Sequence, residues 1–423
     1  MYIRIYNARI LTMIDNEDIF EGEIHIKDDR IVYIGEKIDT KATFDKEIDA
    51  QKNLIMPGFK NAHTHSGMSV LRSLADDLPL AEWLNNAIFP VEAKMSAEDI
   101  YEFTKLSVLE YLTSGITACF DMYLTPFSIA DSMNDMGFRC VQVGAMNNFS
   151  QNINLLEECF NKLNKEDSLQ TYKIGFHAEY TTSLDNMKAI ADLAKKYKQP
   201  IYLHLAETES EVEGCIERYG KRPLKLLDDL GMFDYGGGIF HGVHMTEEDF
   251  NIMKKRGLCV VTNPSSNIKL ASGICPVSEY LKRGIMVAIG TDGPASNNCL
   301  DMFREMFLVS SLTKYIDGDA ASCDALEVLK MATVNGAKCM GLDDCDVLAV
   351  GKKADIIMID LNMPNMQPIN NISKNIVYSG SKINVKMTMI NGTILYMDGN
   401  FYTSTSPKEI YDKVESIKQR IIV

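Results

Sequence analysis

At 423 residues the chain is long enough for one barrel-sized domain plus a smaller companion, with a large buried core. A formal net charge of -15 and the lack of any Lys/Arg cluster exclude a partner gripped through its phosphate backbone, because nucleic-acid binding draws most of its affinity from clustered cations. No stretch of about 18 uncharged apolar residues occurs, which argues against a membrane-spanning helix, and ten cysteines without a CxxC pair predict reduced, packed thiols in a cytoplasmic protein.

Residues 1–57 alternate short β-rich runs with turns. The opening residues carry Arg4, Arg9 and Asp15 through their apolar stretch, so they read as strands and not as a secretory signal. IRIYNARIL is followed by EGEIHIKDDRIVYIGE, in which Asp28-Asp29 marks a tight hairpin. Beyond this unit, eight apolar runs are separated by helical stretches: NLIMPGF, GITACF, RCVQVGA, YKIGF, PIYLHLA, GGIFH, LCVVTN and IMVAIGT. This is the βαβ alternation of parallel strands, and eight of them predict an α/β fold with a (β/α)8 TIM-type barrel over 58–345. The active site of such a barrel lies at the C-terminal ends of its strands. Polar residues fall at those ends: His63 and His65 after the first run, Asp121, His177, His204, His241, Asn263 and Asp292 after later ones. Five of the seven histidines are placed this way, leaving only His25 and His244.

After residue 345 the β-rich pattern returns in GKKADIIMID and NVKMTMINGTILYMDG, the latter with Asn391-Gly392 as a hairpin turn. Residues 346–423 are expected to join 1–57 in one composite β-sandwich domain. The last segment has Ser406 as N-cap, Pro407 at the first helical position, and Ile410, Val414, Ile417 and Ile421 on one face, which predicts a docking helix. Either the β-domain or this helix is a candidate support for a homo-oligomer.

The chemistry is carried by three short motifs. HTH puts His63 and His65 two residues apart, so an extended backbone turns both imidazoles to one side, where they can bind one metal ion. HLAE sets Glu207 three residues past His204, beyond the strand end, where a general base could approach the attacking water. GTDG places Asp292 at the end of a run buried on both faces, where a carboxylate is costly unless paired or bound to a metal. Plainer readings stand beside these: solvated loop histidines, a surface Glu at a helix start, and an Asp that caps the helix through PASNN.

NAHTH, HLAE, HGVH, TNPSSNIKLASG and TDGPASNNCLDMFREM resemble the motifs of the methylthioadenosine/S-adenosylhomocysteine deaminase family of amidohydrolases, as do IYNARILT, DLPLAEWL and GKKADIIMIDL. The resemblance implies one divalent metal ion held by His63, His65, His204 and Asp292, with Glu207, His241 and Asp292 as catalytic residues. It also implies a small nucleoside substrate contacted by Glu92, His177, Glu207 and Asp292. Residues 66–95, with Trp83 and Pro90, are expected to form a lid that sets the ribose on Glu92. Between the two histidines of HGVH, His241 is preferred because it directly follows GGIF. Two-metal relatives carry a bridging lysine on the fourth strand, whereas this run ends in His177 with Lys173 at its start, which favours a single metal. Zinc suits the imidazole-rich set, though iron, manganese or nickel would accept the same ligands.

Water at neutral pH is too weak to displace the amino group of adenine until a metal lowers its pKa from about 15.7 to about 7. The implied reaction is therefore hydrolytic deamination of 5′-deoxyadenosine, 5′-methylthioadenosine, adenosine or S-adenosylhomocysteine. Some relatives have arginines after the third strand that meet a homocysteine carboxylate. GAMNNFSQNINLLEECF has none, and Glu179 is expected to add negative charge nearby. The rival readings are a deaminase or chlorohydrolase of guanine, a pterin or a triazine, and a non-catalytic scaffold on the same fold.

Overall fold

The computed structural model describes residues 1–78 and 80–422, and at its centre eight parallel strands follow one another in chain order. They are Phe59–Thr64, Ile116–Asp121, Arg139–Val143, Gln170–Ala178, Ile201–Leu205, Gly237–His241, Cys259–Thr262 and Val287–Ile289. Helices cover the outer face, and Ala62, Phe120, Val141, Tyr202, Phe240 and Ala288 fill the interior. Burial on both faces is why the strands read as apolar runs without alternation. Among the described residues no ladder joins the first and eighth strands. The barrel closes there through Asp292 N donating to His63 O at 2.9 Å, Thr291 N to Asn61 Oδ1 at 2.9 Å, and Asn61 Nδ2 to Thr291 Oγ1 at 2.7 Å.

Strands from both ends of the chain build a second, mixed sheet of nine strands. Ile356–Ile359 pairs antiparallel with Leu54–Pro57, which runs parallel to Tyr2–Ile10. The sheet has a core of its own, including Ile5, Ile24, Ile48, Ile55, Ile356 and Met387. Both predicted hairpin turns occur: Asp28 has φ 55°, and Asn391 and Gly392 have φ 52° and 76°, the paired positive values of a type I′ turn.

Two sequence expectations are corrected. NLIMPGF is not the first barrel strand: Leu54–Pro57 lies in the second sheet, and the barrel strand is Phe59–Thr64. The run looks continuous because both sheets bury it. Gly58 is the break, since a Cβ there would lie 2.1 Å from the Thr117 side chain. The terminal helix Pro407–Ile421, grouped with the composite domain by sequence, turns Ile410, Val414, Ile417 and Ile421 into the large barrel cluster and packs against the helix Ala97–Thr113. Arg420 donates to Asp99 at 2.5 Å, and Lys94 Nζ to the Ile421 carbonyl at 3.0 Å. No helix among the described residues is long and apolar enough to cross a membrane.

Barrel and sheet are joined by buried charge at the barrel floor. Asp355 accepts from Arg139 Nε at 2.7 Å, Arg139 Nη2 at 2.9 Å and Asn391 N at 2.8 Å, while Lys60 Nζ donates to Gly58 O and Thr117 Oγ1. Burial pushes the Lys60 ammonium down from its ordinary range, against the pull of Asp355. Removing one member of such a pair leaves an uncompensated buried charge. Asp355→Ala is expected to cost about 3–5 kcal/mol, read as a lower urea midpoint, with turnover per folded molecule unchanged. An unshifted midpoint would show that the floor pair is not what holds the two sheets together.

Candidate active site

Four donor atoms from three strand ends face one another at the mouth of the barrel. His63 Nε2 lies 3.1 Å from His204 Nε2 and 3.6 Å from Asp292 Oδ1, and His65 Nε2 lies 3.1 Å from the same Asp292 oxygen. His63 is fully enclosed, and its ring stacks on Phe240 with centroids 3.9 Å apart. The other ring nitrogens of the two flanking histidines are committed: His65 Nδ1 donates to Met122 O at 2.5 Å and His204 Nδ1 to His177 O at 2.8 Å. A carbonyl can only accept, so each Nδ1 carries a proton, which turns the Nε2 of His204 toward His63 and the Nε2 of His65 toward Asp292.

Burial, together with the neighbouring imidazoles, holds His63 and His204 well below the ordinary histidine range, so both are neutral. Burial also opposes charge on His65, but the hydrogen bond and charge of Asp292 carry it up to about 8. Asp292 is held well below the carboxylate range: burial works against this, and the bond to His65 outweighs it. Two neutral imidazoles, a third imidazole and an ionised carboxylate that turn their ring nitrogens and oxygen toward one point are a donor set that fits a divalent cation, which would take the place of the proton between His65 and Asp292. The donors of His63, His65 and Asp292 lie within 4.8 Å of one another, as do those of His63, His204 and His241.

Glu207 follows the fifth strand by two residues and is buried. Its Oε2 stands 3.7 Å from His241 Nε2, and Ser272 Oγ donates to its Oε1 at 3.4 Å. Burial raises its carboxyl, against the pull of His241. His241 Nδ1 lies 2.8 Å from Asn267 Oδ1, which makes Nε2 the acceptor facing Glu207. His244 points elsewhere, onto the Ser272 carbonyl at 2.7 Å.

These groups open into a cavity of about 590 Å3 that also meets Trp83, Glu92, His177 and Tyr180. Glu92 Oε1 accepts from Tyr123 Oη at 2.6 Å, and burial raises its carboxyl. His177 Nδ1 donates to Thr181 Oγ1 at 2.9 Å, and burial pushes this imidazole down to about 4. The short helical turns over 80–92 wall one side of the cavity with Trp83, Leu84, Phe89 and Glu92; Pro79, within the expected lid, lies outside the described residues.

Other sequence expectations find different places. Asp121 is buried away from the cavity, accepting from Ser66 N at 3.1 Å and from Ser66 Oγ. Glu179 adds no free charge, because it is buried in an ion pair with Arg218 at 2.6 Å. Lys173 packs against Gly341, in the chain that follows the barrel strands. Several partners were not singled out from sequence. Ser266 and Ser296 donate to Asp292 Oδ2 at 2.5 and 3.0 Å, Asn267 fixes His241, and Tyr123 fixes Glu92. Their signal was position alone, two to seven residues beyond a strand end.

The chain matches the model of the amidohydrolase family over residues 54–395. It is 40% identical, over the whole of both chains, to a 5-methylthioadenosine/S-adenosylhomocysteine deaminase of Thermoanaerobacter pseudethanolicus. It is 37% identical to one of Thermococcus onnurineus over 92% of each chain. Its fold is similar to a crystal structure of an adenosine deaminase from Xanthomonas campestris with bound zinc, with TM-score 0.93, 30% identity, and 99% of this chain and 98% of that chain covered. With its histidines and aspartate gathered at the mouth of a parallel barrel, the chain belongs to the amidohydrolase family.

Proposed function

We propose that the protein removes the exocyclic amino group of an adenine nucleoside by hydrolysis, giving the inosine-type product and ammonia. The observation that carries this reading is the meeting of His63, His65, His204 and Asp292 with Glu207 and His241 at the inner end of a cavity whose wall bears Glu92. The similarity to relatives described as methylthioadenosine/S-adenosylhomocysteine deaminases supports the same substrate class.

His63, His65, His204 and Asp292 would hold one divalent ion, zinc by their donor chemistry and by the zinc-containing neighbour. When bound, the ion supplies Lewis acidity that makes water nucleophilic at neutral pH. Glu207, buried and raised, takes a proton from the attacking water and delivers it to ring N1, which makes C6 electrophilic. His241 Nε2 accepts a hydrogen bond from that water and orients it. Asp292 passes the second proton to the amino group as it leaves. Glu92, already held by Tyr123, receives ribose hydroxyls, and neutral His177 offers an uncharged acceptor to the nucleoside.

The cavity wall also includes Leu84, Phe89, Leu124, Ala145, Phe149 and Leu270, and no Lys or Arg is among the described lining residues. A small, uncharged 5′ substituent suits that wall; the carboxylate of a homocysteine tail finds no cation there. A reduced intracellular setting and a homo-oligomer remain part of the proposal, the former from the unpaired cysteines.

Two outcomes are expected. Zinc-loaded enzyme should turn over 5′-deoxyadenosine and methylthioadenosine with kcat/KM roughly ten- to a hundredfold above that for S-adenosylhomocysteine, the equivalent of about 1.5–3 kcal/mol for a missing charged hydrogen bond. Ammonia release and the adenosine-to-inosine absorbance change measure it, and activity confined to guanine or a triazine would overturn the substrate. Glu207→Gln should lower kcat by about 10²–10⁴-fold while binding the same metal equivalent by elemental analysis. Unchanged turnover in that variant would remove Glu207 from proton transfer.

A further inference from the structure

Glu207 sits on neither a strand nor a helix. The fifth strand ends at Leu205, the next helix runs Glu209–Tyr219 with Thr208 as its N-cap, and only Ala206 and Glu207 bridge the two. Ala206 has φ 53°, a left-handed conformation that costs an L-residue with a Cβ roughly 1–2 kcal/mol. A two-residue bridge of this kind does not hold a carboxylate in place by itself. The Ala206 carbonyl is tied to the loop after the sixth strand, accepting from Val243 N and His244 N at 2.9 Å each. On the amide side, Ala206 N donates to Glu211 Oε1 at 2.8 Å and Glu207 N to Glu211 Oε2 at 2.9 Å.

Glu211 occupies the third position of its helix, where an acidic side chain ordinarily reaches back to the N-cap amide. It passes that amide by and grips the two residues upstream instead. It is buried, 6% exposed, although burying a carboxylate is costly and its first-turn neighbour Glu209 is exposed. The partners are two N–H donors set for two oxygens, which a carboxylate satisfies and an amide does not: glutamine would turn an NH2 group against one of them.

We propose that Glu211 is the positioning residue that fixes where the Glu207 carboxylate stands. It touches neither substrate nor metal; it acts through the backbone of Glu207. This rests on the reading of Glu207 as the proton-transferring group, and a displacement of about 1 Å at such a group is enough to cost roughly 10²-fold in rate.

The test compares Glu211→Gln with the parent enzyme, in both the natural and the Glu207→Gln backgrounds. In the natural background kcat is expected to fall about 10²-fold with KM within about threefold, metal content unchanged, and hydrogen exchange faster at the amides of residues 206 and 207. In the Glu207→Gln background the same change should cost less than about threefold, because groups acting as one unit are not additive. Glu211→Asp, which keeps both acceptors on a shorter stem, should recover part of kcat, and it carries the comparison if Glu211→Gln does not fold. Equal losses in the two backgrounds, or a natural-background kcat within about threefold of the parent, would overturn the proposal. Should the parent hydrolyse another ring and no adenine nucleoside, the substrate reading falls, while the same ratios on that ring still decide the role of Glu211.

Discussion

The seam where the first barrel strand meets the eighth is the constraint on which the site depends. A ladder could have closed the barrel there, but the seam uses only a few bonds, and two of its members are His63 and Asp292. The Asp292 amide binds the His63 carbonyl, Thr64 Oγ1 donates back to the Asp292 carbonyl at 3.2 Å, and Asn61 grips both the amide and the hydroxyl of Thr291. Closing the barrel and bringing the His63 imidazole beside the Asp292 carboxylate are thus one event. Any slip in register between these strands would separate His63 from Asp292 by a residue's length, since a parallel pair has no hairpin to fix it.

Given that seam, the electrostatics follow. Three imidazoles, two of them with Nδ1 held on a backbone carbonyl, and one buried carboxylate crowd their remaining donor atoms together, an arrangement that a cation would neutralise. The same enclosure that keeps His63 and His204 neutral raises Glu207 and Glu92, because burial disfavours the charged form of imidazole and carboxyl alike. Asp292 stays ionised beside them because it alone has His65 as a direct partner.

Strand ends were legible in the sequence because a parallel barrel buries both faces of each strand: a polar residue directly after an apolar run has nowhere to go but the mouth. That logic reached His63, His65, His204, His241 and Asp292 without any knowledge of distances. It failed where the same text has two physical meanings. NLIMPGF is continuous because two sheets bury its halves, and only the clearance at Gly58 marks the change. Asp121 ends a strand yet faces Ser66, because the direction of a side chain at a strand end is set by register, which composition does not carry. Glu179 looked like free charge because its partner, Arg218, lies 39 residues away in the chain. Ser266 and Asn267, on the short helix Pro264–Lys269, and Tyr123, in the loop after the second strand, are polar residues whose importance lies wholly in what they touch.

The backbone shows what this arrangement costs. Ala206, His241 and Asp292 all have positive φ, at 53°, 74° and 60°, and they stand at the ends of the fifth, sixth and eighth strands. Each such residue costs of order 1–3 kcal/mol unless its surroundings dictate the conformation, against a total stability of only about 5–15 kcal/mol for a domain. The surroundings do dictate it: the carbonyl of Ala206 takes two amides from the loop after His241, and the amide of Asp292 is held by His63. The strain therefore lies where strands must turn sharply enough to aim side chains inward, and the hydrogen bonds that hold it run from one catalytic strand end to another. The buried Arg139–Asp355 pair lies at the opposite end of the strands, so the joint between barrel and sheet is built apart from that strain.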